Sequence, residues 1–258
     1  MPTTSVRDIS ISWSETGEGP TVVYAHGLTS SRANDQGTVD WSPVAGSGHR
    51  LIAYDARGHG LSTGSANPDD YEWPEMANDL IALLREIAPG EKVTGIGLSM
   101  GTATMIHAVT AAPELFDRLI LTAVPTAWET RSGQSKIYNM LADLIEKEGI
   151  EAFMELMASN PAPQVFADLD QSAKRPDIED ANLPAVLRGA GRSDLPDETL
   201  VASIAVPVFI LAWAGDPGHP VSSAQRLHEL IDGSQLVIAN TPAEFRAWGE
   251  LAADFIRG

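Results

Sequence analysis

The sequence predicts an α/β protein: a mostly parallel sheet flanked by helices, with a helical segment inserted ahead of the last two strands. Three observations predict it. Short aliphatic runs recur along the chain, at Thr21–Ala25, Arg50–Tyr54, Val93–Ile96, Arg118–Val124, Pro207–Trp213 and Gln235–Ala239, in the manner of strands buried on both faces. Segments of helical spacing lie between them, which is the alternation that builds a parallel sheet covered by helices. The run at Val93 ends in Gly97-Leu98-Ser99-Met100-Gly101 and passes at once into a helix of small residues, Thr102 to Val109.

The bulk numbers fit one domain, or one domain with an insertion. A chain of 258 residues buries a large core. Its net charge is −18, from 35 acidic and 17 basic residues. Such a surface repels nucleic acid and anionic membranes, so neither is expected as a partner. There is no cysteine, which excludes disulfides and thiolate chemistry. The segment Met1 to Ser10 has no apolar signal core, and no apolar run approaches membrane-spanning length, so a cytoplasmic protein is expected.

In chain order, Ile9, Ile11 and Trp13 alternate with serines, and Thr16-Gly17-Glu18-Gly19-Pro20 is turn chemistry; together they predict an antiparallel edge hairpin feeding the next strand. Thr21–Ala25 is a buried strand ending at His26-Gly27-Leu28. A long loop with Trp41 leads to the strand Arg50–Tyr54 and then to Asp55-Ala56-Arg57-Gly58-His59-Gly60-Leu61-Ser62. Tyr71 to Ile87 places Met76, Leu80, Leu83, Leu84 and Ile87 on one helical face. After the strand Arg118–Val124 the rhythm breaks. Helical, Met- and Ala-rich segments are predicted at Ile137–Ile145 and Ile150–Met157, followed by a Pro/Asp-rich stretch to Pro196. Pro207–Trp213 and Gln235–Ala239 restore the strands, flanked by helices at Ser222–Ile231 and Ala243–Ile256.

The stretch around Ser99 carries chemistry because strand, one-residue corner and helix follow one another without a gap. The corner residue is forced into strained backbone angles, and Gly97 and Gly101 remove side chains that would collide around it. Ser99 then stands exposed as a nucleophile, and the Met100 N–H is free to donate to a developing oxyanion. The five-residue pattern alone falls by chance in roughly one chain in ten of this length. Gly60-Leu61-Ser62-Thr63-Gly64 is a second match, but it runs into Ser65-Ala66-Asn67-Pro68, an open loop. Only Ser99 has the strand and the helix around it.

The order His26-Gly27, Asp55-x-Arg57-Gly58-x-Gly60-x-Ser62, Gly97-x-Ser99-x-Gly101, an inserted helical segment, then Gly215-Asp216 after a late strand resembles the α/β-hydrolase superfamily. The likeness is greatest to its small esterase, lactonase and cofactor-free haloperoxidase branch. The resemblance implies a core from residues 1–125 and 205–258 and a helical cap at 126–204. It also implies a second oxyanion donor at the Leu28 amide and a triad acid at Asp216, with Glu129 in reserve because some branches carry the acid there. Asp55 is expected to brace its loop through Arg57. The family places its histidine after the last strand, here Asn240-Thr241-Pro242-Ala243-Glu244, and none is there.

Of the six histidines, His26 and His59 sit in glycine-flanked motifs that usually make structural hydrogen bonds, and His107 lies inside the helix after the corner. His49 and His228 are expected to be solvated. His219, three residues after Asp216, alone lies in a loop at the catalytic edge and is the candidate base. Tyr138, Met140, Leu141, Leu144, Phe153, Met157 and Phe166, with Trp128 at the entrance, supply apolar surface for cap packing and a pocket. No metal-ligand spacing, phosphate loop or dinucleotide fingerprint is present, so no cofactor is expected. The sequence therefore predicts a serine hydrolase acting on a small, mostly apolar ester or lactone. A ligand-binding pseudo-hydrolase and a lyase or perhydrolase on the same fold are the alternatives.

Overall fold

In the computed structural model, residues 1–35, 38–159, 162–170 and 174–258 are described. Eight strands form one sheet: β1 (Thr3–Val6), β2 (Ile9–Thr16), β3 (Thr21–Ala25), β4 (Arg50–Tyr54), β5 (Val93–Leu98), β6 (Phe116–Thr122), β7 (Val208–Trp213) and β8 (Gln235–Ala239). Their order is β1-β2-β4-β3-β5-β6-β7-β8. The first two pairings are antiparallel and all the others are parallel. Expectation and structure differ at the edge. The hairpin partner of β2 is β1, in a segment whose alternation is too short and polar to stand out, and β2 pairs next with β4, not with β3.

The helices are α1 (Arg32–Asp35), α2 (Ser42–Gly46), α3 (Trp73–Ile87), α4 (Met100–Ala111), α5 (Arg131–Glu148), α6 (Ile150–Ser159), α7 (Leu183–Arg192), α8 (Glu198–Val201), α9 (Val221–Leu230), α10 (Pro242–Arg246) and α11 (Trp248–Arg257). Strand residues alternate between two cores, as a pleated strand requires. Val23 and Ala25 pack with α3, α4 and α9 on one face. Val22 and Tyr24 pack with Val44 of α2 and with Trp248 and Ala252 of α11 on the other.

The Pro/Asp-rich stretch is more regular than its composition predicts. It holds α7, whose Leu183, Val186, Leu187 and Ala190 are buried at helical spacing. Pro184 occupies the first turn, where a missing N–H costs nothing. Gly189 lies so close to Tyr71 that a Cβ there would stand 2.6 Å from the Tyr71 Cβ, so the residue that weakens the helical signal is needed for packing. Residues 160–161 and 171–173 of the same stretch lie outside the described residues. The expected C-terminal helix is two helices, meeting at Ala247. Among the described residues no helix is long and apolar enough to cross a membrane.

Candidate active site

Ser99 joins β5 to α4 with φ 54° and ψ −109°, a conformation that an L-residue holds only when its surroundings impose it. The surroundings do so. A Cβ on Gly97 would stand 2.5 Å from the Gly101 carbonyl oxygen, and one on Gly101 would overlap the Ala25 carbonyl. The Ser99 N–H donates to Thr122 O (3.0 Å), while the Thr102 and Thr122 hydroxyls donate to Gly97 O at 2.8 and 2.7 Å. The Ser99 side chain makes no cap hydrogen bond to the helix it precedes. Its Oγ points elsewhere.

That direction is His219. Ser99 Oγ lies 2.7 Å from His219 Nε2, and His219 Nδ1 lies 2.7 Å from Asp216 Oδ2. With the Nδ1 proton donated to the carboxylate, Nε2 keeps its lone pair for the serine hydroxyl. Asp216 takes two further donors: Trp213 Nε1–H on the same Oδ2 (3.0 Å) and the Gly218 N–H on Oδ1 (2.8 Å). Burial opposes its ionisation, but the hydrogen bond and charge of His219, with Trp213 and Gly218 behind them, win and hold its pKa at about 2. It is an anion throughout the physiological range.

The Met100 N–H is the first of α4 and has no intrahelical acceptor, so it is free to donate at the positive end of the helix, next to Ser99 in the chain. Gly27 abuts the serine: a Cβ built on it would lie 3.8 Å from the Ser99 Cβ. Leu28 follows in a turn held from two sides. His26 Nδ1–H donates to Gly27 O (2.8 Å) while its Nε2 accepts the Ala56 N–H (3.0 Å). Asp35, 7% exposed, accepts the Tyr24 hydroxyl (2.7 Å), the Gly27 N–H (3.3 Å) and the Ser30 hydroxyl.

The remaining candidates lie apart from this chain of hydrogen bonds. Ser62 is buried, with Oγ accepting the Ser12 N–H (2.9 Å) and donating to Asp55 O (2.6 Å). Asp55 braces its loop, but through the Arg32 and Leu61 amides at 3.0 Å each; Arg57 instead pairs with Asp79 and Asp8. Charge pairing depends on which side chains share a face across the sheet, which a local motif does not encode. His59 is fully buried, donates Nδ1–H to Arg57 O (2.7 Å), and lies 5.1 Å from the His26 ring. Burial first, then the neighbouring His26, push its pKa down to about 3. His107 bonds Asp194 O (2.9 Å), His49 bonds Ser47, and the exposed His228 bonds Ser234. Glu129 is exposed, and the Nδ1 position it would have to fill belongs to Asp216. Sequence reasoning missed Trp213 and Asp35, because nothing local distinguishes a strand-end tryptophan or a loop aspartate that supports a site.

A cavity of about 380 Å³ opens beside the Leu28 turn, lined by Thr29, Ser30, Asn34, Phe166, Leu169 and Arg175 among others. Phe166 stands edge-on to Trp213 (4.9 Å), which stands edge-on to His219 (5.3 Å), so an aromatic wall runs from the cavity to the base. Of the predicted apolar set between β6 and β7, Leu141 and Phe153 are buried in the core, while Met140 is 53% exposed. A larger cavity of about 590 Å³ is lined by Tyr24, Asp35 and Trp41 among others, and the linings of both cavities leave out Leu28, Ser99, Met100, Asp216 and His219.

A family model for the α/β hydrolase fold matches residues 20–140. Among curated proteins, 3-oxoadipate enol-lactonase 2 of Acinetobacter baylyi is 22% identical over 92% of this chain and 87% of that protein. An esterase of Mycobacterium tuberculosis is 30% identical over 61% of this chain and 48% of its own length. Among solved structures, the enol-lactonase of Burkholderia xenovorans LB400 superimposes with a TM-score of 0.79 at 18% identity, covering 100% of both chains. With its sheet order, its strained corner at Ser99 and these likenesses together, the chain has the α/β-hydrolase fold.

Proposed function

We propose that the chain is a serine hydrolase that opens a small, mostly apolar carboxylic ester or lactone through an acyl-enzyme. The observation that carries this reading is the unbroken line Ser99 Oγ, His219 Nε2, His219 Nδ1, Asp216 Oδ2, with both contacts 2.7 Å, mounted on a strained corner. Ser99 Oγ attacks the carbonyl carbon as its proton passes to His219 Nε2. The carbonyl π electrons move onto oxygen, where the Leu28 and Met100 N–H groups receive them. The tetrahedral species collapses with loss of the alkoxide, which takes the proton from His219; in a lactone the alkoxide stays tethered to the acyl group. Water, deprotonated by the same imidazole, then releases the acid and restores Ser99. General-base assistance contributes about 10²–10⁴-fold, and an oxyanion donor about 10²–10³-fold.

Residues 126–204 act as a cap over this site, and residues 1–125 with 205–258 form the core that carries it. The Phe166–Trp213 wall, edge-on to His219, supports a small substrate with an apolar part. The names of the lactonase and esterase relatives support the bond type.

The test is covalent labelling. A fluorophosphonate probe modifies Ser99 and leaves Ser62 unmodified, as peptide mapping reads directly, and Ser99→Ala abolishes both labelling and hydrolysis of p-nitrophenyl esters. A protein that is folded yet inert to the probe overturns the reading in favour of a binding protein.

A further inference from the structure

The His219–Asp216 hydrogen bond is internal to one loop, because the two residues are three apart in Gly215-Asp216-Pro217-Gly218-His219-Pro220. The Gly218 N–H that grips Asp216 Oδ1 comes from the same loop, and so does the turn bond from His219 N to Asp216 O (3.2 Å). All these bonds survive if the loop turns as a unit away from Ser99. They hold acid and base together without fixing where the pair points. Something outside the loop has to supply that reference.

We propose that Trp213 is the positioning residue that aims the Asp216–His219 pair at Ser99, a role that rests on the hydrolase reading above. Trp213 is the last residue of β7, 5% exposed, and paired in register with Ala239 of β8. Its place is therefore set by the sheet. From there its indole acts twice on the loop. The Nε1–H donates to Asp216 Oδ2 at 3.0 Å, on the oxygen that also receives His219 Nδ1–H, which fixes the direction of that oxygen. The ring face and edge then bound the imidazole, with centroids 5.3 Å apart and planes at 69°. The indole is itself immobilised. Trp248 stacks on it at 5.6 Å and 19°, with Phe166 and Phe245 edge-on at 4.9 and 5.9 Å. Among the described residues, and apart from the Ser99–His219 contact itself, the other external ties to the loop are backbone bonds, Thr126 N–H to Gly218 O (3.1 Å) and Ser223 N–H to Pro220 O (2.9 Å), and neither touches the carboxylate. The indole N–H is thus the rigid donor through which the sheet sets the acid.

The test removes the N–H and keeps the shape. Replacing Trp213 by 3-benzothienylalanine, in which sulfur stands where N–H was, preserves the stacking on Trp248; Trp213→Phe is the genetically encoded companion. The expected result in the isosteric variant is a melting temperature lower by no more than a few degrees, a kcat lower by about 10- to 100-fold, and an unchanged KM, since a charge-assisted hydrogen bond is lost only from the reacting pair. The downfield proton NMR resonance of His219 Nδ1–H moves or broadens in the same variant. An isosteric variant with wild-type kcat and an unmoved resonance overturns the proposal. A folded Trp213→Phe with parallel changes in KM and melting temperature but an unmoved resonance also overturns it, leaving a packing role. If wild-type protein neither hydrolyses esters nor takes the fluorophosphonate, the hydrolase reading fails, and the resonance alone then decides whether Trp213 orients the pair.

Discussion

Ser99 Oγ and His219 Nε2 meet at 2.7 Å across 120 residues of sequence, with the imidazole arriving from the loop after β7. The loop after β8 is occupied otherwise: Glu244 Oε2 accepts the Asn240 and Thr241 N–H groups at 2.7 and 3.1 Å, and Thr241 caps α10. The imidazole and the carboxylate it bonds therefore come from a single turn.

The serine and histidine of a working triad act as a unit, so losing either nearly matches losing all three members. His219→Ala is expected to fall within about tenfold of Ser99→Ala in kcat/KM for a p-nitrophenyl ester. Asp216→Asn, which favours the wrong imidazole tautomer, is expected to cost on the order of 10⁴-fold in kcat. Adding Asn240→His to His219→Ala restores nothing, because that loop is exposed and tied to Glu244. Steady-state kinetics of the four proteins checks all of this.

The corner itself is sensitive to one methyl group. Gly101→Ala drives a Cβ into the Ala25 carbonyl, where both atoms belong to packed backbone. A loss of about 3 kcal/mol or more is expected, at the upper end of overpacking costs. In a chain of this size each kcal/mol lowers the melting point by about 2–4 °C. Thermal unfolding followed by circular dichroism reads the shift.

Ser62→Ala separates stability from chemistry. It strands the Ser12 N–H and the Asp55 carbonyl in a buried place, at about 1–3 kcal/mol for each group left without a partner. Urea unfolding is expected to register that loss, while kcat per folded molecule stays at the wild-type value.

Acid sensitivity is expected from His59. Its pKa is about 3 in the folded chain, below the ordinary imidazole value of about 6.5 in the unfolded one. The unfolded state therefore binds more protons between these values. Stability is fully present above about 6.5 and is lost as pH falls toward about 3, with a slope approaching 1.4 kcal/mol per pH unit from this residue. Urea unfolding between pH 7 and pH 5 shows the slope, and His59→Asn, which keeps a donor for Arg57 O, reduces it by one proton.

The parallel strands were legible because burial on both faces writes an unbroken aliphatic run; β5 through β8 begin and end within two residues of their expected places. The corner was legible for a related reason. Strand, glycine, serine, glycine and helix are contiguous, so a local pattern carries a local strain. β1 and α7 were not legible. One is short and polar, and the other carries Pro184, Gly189 and Gly191, which depress helical propensity while tertiary packing against Tyr71 and α5 restores the helix. In the site, Ser99, Asp216 and His219 could each be named from a motif or a loop. Trp213 and Asp35 act across space, and no spacing along the chain points to them.

The stacking of Trp248 on Trp213 has a consequence for how the molecule is made. Residues 28, 99, 100, 216 and 219 all precede β8, so every proposed reactive group is synthesised before the final strand and helices. The indole that aims them nevertheless lacks its backing ring until α11 is in place. A nascent chain halted after Pro220 would hold the full set of reagents with nothing firm behind them. Under the proposed mechanism, competence waits until α11 is docked and Trp248 stands behind Trp213.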